Sequence, residues 1–402
     1  MSPGSQRVAV EREREFPAGE IAVGRAAPIA VCHIDSGDLW AGAEVNTTTL
    51  LQALTRLPDL RLSAILLNEG EMARRLRGCG IDVKVVPESE RSFVGIFNEA
   101  ARFLRPRQVR ILHAHRYKEN LLAALLARRC RIPFLVSTRH GAPEPFRGWR
   151  RIKRAAFGSI DQLLTRHFTD RVISVSDEMR EGLLGSLPPQ KIVTIRTGID
   201  TGQVRSELTR AEAKRRLEIS GQAKVVGYAG RLVPIKRLDI FLQAARQIAD
   251  VESDVVFVIA GDGPEQARLE ALTRELGLGD RVRFLGFRER IYDVMRAFDV
   301  FVLCSDHEGL PRVVLEALCL GVPVVARAVG GIPEVIRNGD TGILLDSAEP
   351  GVLAASCRDL LADEGRRRQM AAAGAAEVSR RYPSERCASE TMELYRALSE
   401  GQ

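Results

Sequence analysis

No two of the seven cysteines, Cys32, Cys79, Cys130, Cys304, Cys319, Cys357 and Cys387, stand in CxxC spacing. An odd, scattered set excludes a disulfide framework and a cysteine-based zinc site, so these read as reduced thiols. Long apolar runs are missing as well. The stretch Val313–Ile332 looks membrane-like at first, but Glu316, Pro323 and Arg327 interrupt it, and it reads as helix, turn and strand. The segment Arg7–Glu15 has no apolar core of signal-peptide length. Residues 1–27 are therefore expected to be a mobile tail, and the location cytoplasmic. There is no RNA- or DNA-binding motif, which removes nucleic acid from the expected partners.

What remains is a chain of 402 residues, 45% of them hydrophobic, long enough for two cores. The net charge of +7 points to an anionic partner without saying which. From Ile29 onward, short apolar runs alternate with helix-like stretches, the pattern of parallel sheets covered by helices. Strands are expected at 29–34, 62–67, 83–86, 111–114, 134–137 and 172–175, and a second series at 224–229, 255–260, 282–285, 300–303, 323–326 and 342–345. Thr209 and Glu212 form a capping-box pattern between the two series. The expected fold class is thus α/β, two tandem Rossmann-like doubly wound domains with an interdomain cleft. The domains should span 28–203 and 204–380, with a last helix within 381–402 that crosses back to the first. Ligands of such sheets bind at the carboxyl ends of the strands.

The most informative motif is Glu308-Gly309-Leu310-Pro311-Arg312-Val313-Val314-Leu315-Glu316, which follows a strand and opens a helix over 313–320. Eight helical residues separate the two carboxylates by roughly 12 Å and leave them on nearly one side. That exceeds the ~5–9.5 Å between carboxylates that act across one glycosidic bond. An elongated ligand with hydroxyls at both ends and an anion near the helix start would suit them. The plainer alternative is a capping Glu308 and a solvated Glu316.

Other chemistry-bearing residues fall at strand ends. Gly230-Arg231-Leu232 with Lys236 lets a ligand approach backbone and two cations, which suits a pyrophosphate, or else forms a solvated basic turn. Gly261-Asp262-Gly263 is a partial echo of GxGxxG, because Gln266 stands where the third glycine would be. Gly42, in the loop after the first strand, is a further candidate for a phosphate or sugar. Of His113 and His115, only His115 is expected in the cleft, with the other imidazole sent to the opposite face. His140 ends the neighbouring strand and could converge with it, while His33, His167 and His307 are expected to be structural.

Together, Gly230-Arg231-Leu232 with Lys236, Ala260–Pro264, Glu308–Glu316, Gly321–Ala326 and Gly330-Gly331-Ile332-Pro333-Glu334 resemble the retaining GT-B glycosyltransferases of family 4. Softer matches lie in Gly42-Ala43-Glu44, His113-Ala114-His115, His140-Gly141, Ser174-Val175-Ser176 and Thr197-Gly198-Ile199-Asp200, where Thr197 replaces the usual Asn. The resemblance implies a nucleotide diphosphosugar donor, and neither a metal nor another cofactor. Arg231 and Lys236 would hold the diphosphate, Glu316 the ribose, and Glu308 with the backbone of Gly309, Leu310 and Pro311 the transferred sugar. His115 would lie near the reacting sugar, and His140 on the acceptor side. Gly42, Gly230, Gly261 and Gly263 would line the donor's path.

The acceptor is expected to be a glycan or lipid-linked molecule. The segment Arg147–Phe157 joins a cationic cluster to Trp149 and apolar residues, which suits either an anionic membrane surface, with peripheral attachment, or a solvated basic helix. Competing activities on the same fold are a sugar-nucleotide epimerase, a phosphorylase and a catalytically silent sugar-nucleotide scaffold.

Overall fold

A computed structural model describes residues 27–38, 40–141 and 161–401. The expected tail and the Arg147–Phe157 segment lie outside the described residues. Two parallel sheets form the molecule. The first contains β1 (Ile29–Asp35), β2 (Leu60–Leu66), β3 (Asp82–Val85), β4 (Ile111–Ala114), β5 (Phe134–Arg139), β6 (Arg171–Ser174) and β7 (Ile192–Thr194), ordered β3-β2-β1-β4-β5-β6-β7. The second contains β8 (Lys224–Ala229), β9 (Val255–Ala260), β10 (Val282–Gly286), β11 (Val300–Leu303), β12 (Val324–Arg327) and β13 (Ile343–Leu345), ordered β10-β9-β8-β11-β12-β13. All the ladder pairings are parallel.

Helices cover both sheets, so the central strands are near-continuous apolar runs rather than alternating ones. β9, Val-Val-Phe-Val-Ile-Ala, is an instance, with five of its residues buried. In each sheet the strand order reverses once, between β1 and β4 and between β8 and β11. The segments that leave the four strands at these two reversals carry Gly42, at the start of a helix, and His115, Arg231 and Glu308. The topology therefore gathers the four segments where a doubly wound sheet opens a crevice.

The capping box at Thr209 and Glu212 is present and opens the helix Arg210–Arg216, whose Ala213 packs in the second domain's core. The last helix, Ser384–Glu400, packs on the first sheet: Cys387, Ala388, Tyr395 and Leu398 share a cluster with Val31, Ile111 and Val136. The chain crosses between sheets twice, and the crossings are tied together by Ile199 N to Tyr382 O (2.8 Å) and Ser384 N to Ile199 O (2.9 Å). A Cβ at Gly198 would stand 2.7 Å from Pro383 O, so the close approach of these crossings requires glycine there.

Candidate functional site

A cleft of about 1310 Å3 lies between the sheets. It is lined by Gly42, His115, His140, Gly230, Arg231, Lys236, Gly261, Glu308, Gly309, Leu310, Pro311 and Glu316, so it brings together all but one of the site residues named from sequence. The exception is Gly263. A Cβ there would stand 2.4 Å from Leu232 O, so this glycine serves the packing of two loops.

Glu308 is 9% exposed, which places it far from a solvated surface carboxylate. Its Oε1 accepts from Lys236 Nζ at 2.6 Å and from Ser305 Oγ at 2.5 Å. Nor does it cap the helix, which runs Arg312–Cys319 with Pro311 at its N-cap and no side-chain cap bond. Glu316 is also 9% exposed. It accepts from Arg312 Nε at 2.8 Å, one helical turn back, and from Tyr292 OH at 3.1 Å. Burial, then the nearby Glu316 carboxylate, pushes the Tyr292 phenol up, so it stays a donor. Arg312 Nη1 in turn reaches Asn46 Oδ1 at 3.3 Å, on the helix Gly42–Leu54 of the first domain. One guanidinium thus links the buried carboxylate to the opposite wall.

Gly309 sets how close the walls come. A Cβ there would lie 2.2 Å from His140 O, a backbone atom that cannot swing aside. The loop after β11 therefore touches the loop after β5 through a position that admits no side chain.

On the first-sheet wall the structure corrects the expectation for His113 and His115. Residues two apart in a strand share a face, and their ring centroids lie 4.4 Å apart, stacked. His33, paired with His113 in the β1–β4 register, joins them. The rings form one hydrogen-bonded chain. His140 Nε2 meets His115 Nδ1 at 3.2 Å, and His115 Nε2 meets His33 Nδ1 at 2.9 Å. His33 Nε2 meets the Tyr395 hydroxyl at 3.3 Å. The same hydroxyl meets His113 Nδ1 at 2.6 Å, and His113 Nε2 meets Thr138 Oγ1 at 2.7 Å. Both ring nitrogens of His115 are engaged. Burial holds His33, His113 and His115 well below the usual imidazole range, His33 at about 3. His140 is pushed down to about 3 as well, by burial and then by the charge of Arg116. Among the described residues, the one His, Cys, Asp or Glu group whose ligating atoms crowd together is His33, His113 and His115, all within 4.8 Å and fully buried.

Beside this chain lie residues that sequence reasoning did not single out as functional. Glu44 is fully buried and paired with Arg116, which also stands 3.9 Å from Asp35 Oδ1. Glu119 is 1% exposed and burial, then the charge of Asp35, pushes it up to about 7. Ser305, Tyr292, Arg312 and Tyr395 were missed as well: Tyr292 and Tyr395 act through partners distant in sequence, whereas Ser305 and Arg312 stand three and four residues from the carboxylates they meet. His307, expected to be structural, also lines the cleft.

Cations, carboxylates and the free amides at a helix start, gathered in one elongated cleft, suit a ligand with an anionic middle and hydroxyl-bearing ends. The comparisons with known proteins agree in kind. The family described as glycosyl transferases group 1 matches residues 209–377, and glycosyltransferase family 4 matches residues 40–203. N-acetyl-alpha-D-glucosaminyl L-malate synthase of Bacillus anthracis is 30% identical over 291 residues, 71% of this chain and 74% of that one. A D-inositol 3-phosphate glycosyltransferase of Mycobacterium sp. (strain KMS) is 30% identical over 374 residues, 89% and 82% of the two chains. Anabaena HepE, solved in complex with UDP-glucose, superposes with a TM-score of 0.82 at 23% identity, over 92% of this chain and 100% of that one. Among the described residues no helix is long and apolar enough to cross a membrane. With two family models tiling both domains and relatives at this identity, the chain belongs to the group 1, family 4 glycosyltransferases and is a glycosyltransferase of the GT-B fold.

Proposed function

We propose that the protein transfers a sugar from a nucleotide diphosphosugar to a hydroxyl of a glycan, lipid-linked or other anionic acceptor, with retention of anomeric configuration. The observation that carries this reading is the convergence of Arg231, Lys236, Glu308 and Glu316 on one cleft, with the His115–His140 wall facing them. The diphosphate takes Arg231 and Lys236, the ribose takes Glu316, and the transferred sugar lies by Glu308 and Gly309. Lys236 is already held by Glu308 at 2.6 Å, so one cation bridges the sugar subsite and the leaving phosphate. As the glycosidic bond breaks, negative charge grows on the phosphate oxygen. A preorganised ammonium there stabilises that charge, while the leaving phosphate accepts the acceptor hydroxyl's proton.

The solved HepE complex with UDP-glucose and the two relatives named for L-malate and inositol 3-phosphate support a nucleotide-sugar donor and an anionic acceptor. The first-domain wall of the cleft carries Arg74, Arg75 and Arg116, which fits such an acceptor. A role in cell-surface glycan or glycolipid synthesis, with attachment to an anionic membrane, belongs to the same proposal. No metal or other cofactor is part of it.

The test is incubation of the purified protein with a panel of nucleotide sugars, with and without anionic small acceptors and lipid extract, followed by nucleotide release and the product's anomeric configuration. Acceptor-dependent release with a retained anomer is expected. Conversion of the nucleotide sugar without acceptor would instead assign an epimerase.

A further inference from the structure

The four-imidazole chain ends on one side in the cleft, at His140, and on the other in the core, at Thr138. Burial favours the neutral form of every ring in it, and a neutral imidazole carries one N–H and one bare nitrogen. Once any one ring's tautomer is fixed, its neighbour's follows, because each contact needs one donor and one acceptor. Two arrangements give every donor in the chain an acceptor, the Tyr395 O–H included. In one, all four rings carry the proton on Nε2; in the other, all four carry it on Nδ1. The Tyr395 hydroxyl sits at the junction, where it donates to one of His113 and His33 and accepts from the other. Its contact with His113 Nδ1, at 2.6 Å, is much shorter than that with His33 Nε2, at 3.3 Å. Of the two contacts made by this one hydroxyl, the shorter is the one the phenol O–H donates, since O–H donors make shorter bonds than ring N–H donors. The Thr138 hydroxyl, 2.7 Å from His113 Nε2, can take either sense.

We propose that Tyr395, on the last helix, is a positioning residue that holds His113, His33, His115 and His140 all in the Nε2–H tautomer. His113 Nε2 then donates to Thr138, His33 Nε2 to Tyr395, His115 Nε2 to His33, and His140 Nε2 to His115. The atom left over is His140 Nδ1, which is buried and has no hydrogen-bond partner. It is therefore a bare acceptor, closed off from the cleft, on a ring that itself lines the cleft. A helix contributed by the end of the chain thereby sets the hydrogen-bonding sense of the cleft's first-domain wall.

The tautomer assignment stands by itself, whereas its kinetic consequence rests on the transfer reading above. The test combines 15N NMR of histidine-labelled protein, in which Nδ1–H and Nε2–H rings have distinct shifts, with steady-state kinetics of Tyr395→Phe. Wild type is expected to show the four rings as Nε2–H. Tyr395→Phe keeps the packed ring and is expected to mix the tautomers of His33, His115 and His140. It is also expected to lower kcat by roughly 10- to 100-fold, as for partners that orient a functional imidazole, with donor KM changed less than twofold. His33→Asn, which keeps an amide near the Nδ1 position and cuts the link to Tyr395, should give the same mixture at His115 and His140. An all-Nδ1–H or mixed pattern in wild type would overturn the proposal. So would an unchanged pattern in both variants, or a stoichiometric divalent metal on His33, His113 and His115 removable by chelator. Absence of any transferase turnover with an intact Nε2–H pattern would count against the transfer reading alone.

Discussion

The two walls of the cleft hold their functional groups by different means. On the second-domain wall Glu308 meets Lys236 and Glu316 meets Arg312, each a charge against a charge in a half-closed space. On the first-domain wall His115 meets His140 and His33, neutral rings linked only by hydrogen bonds. The contrast follows the charge each wall has to face. A diphosphate needs fixed cations whose own carboxylate partners keep them aimed, whereas a sugar or acceptor hydroxyl needs a neutral donor or acceptor that burial keeps uncharged. Arg312 to Asn46 is a polar thread between them.

The sharpest way to break this contrast is to remove the charged wall's central carboxylate. Glu308→Ala should lower kcat/KM by roughly 10³-fold, about 4 kcal/mol of transition-state stabilisation, with the thermal unfolding midpoint little changed. Turnover close to wild type would leave the charged wall without a catalytic part. Next in size is Arg312→Ala, which strands the buried Glu316 carboxylate. Denaturant unfolding should register a loss of about 3 kcal/mol, and equal stability would show that this pair carries no structural weight.

Acid should then distinguish the neutral wall. Because the folded-state pKa values of His33, His113 and His115 are lowered, the stability they contribute is complete above their unfolded value of about 6.5 and is lost as pH falls below it. Glu119, raised to about 7, and Asp35, also raised, take up protons in the folded state and offset part of the loss. Unfolding free energy should therefore drop by about 1 to 3 kcal/mol between pH 6.5 and 5.5. A flat or rising profile across that window would mean that the rings are not held neutral. The smallest effect is expected for Asn46→Ala, about 1 kcal/mol, since Arg312 keeps Glu316.

The same contrast governs how much the sequence disclosed. β8 to β13 lie within about two residues of their expected positions, and Glu308, Glu316, Arg231 and Lys236 meet as expected, because their motifs are local: strand, turn and helix start within a few residues. The first-domain wall is assembled from β1, β4, β5 and the last helix, with Tyr395 some 280 positions from His113. No local pattern encodes such a meeting. The three-residue β7 offers too short an apolar run to be seen as a strand. Glycine spacing such as Gly261-Asp262-Gly263 reports that backbone comes close to something, without saying whether that is a ligand or, as Leu232 is for Gly263, another loop.

The central claim is that Arg231 and Lys236 hold the donor's diphosphate, and calorimetric titration with UDP, GDP and ADP tests it most directly. At least one nucleotide is expected to bind wild type and to bind the Arg231→Ala, Lys236→Ala double variant at least 100-fold more weakly, a loss of about 2.7 kcal/mol. A folded double variant that binds the same nucleotide with unchanged affinity would contradict it.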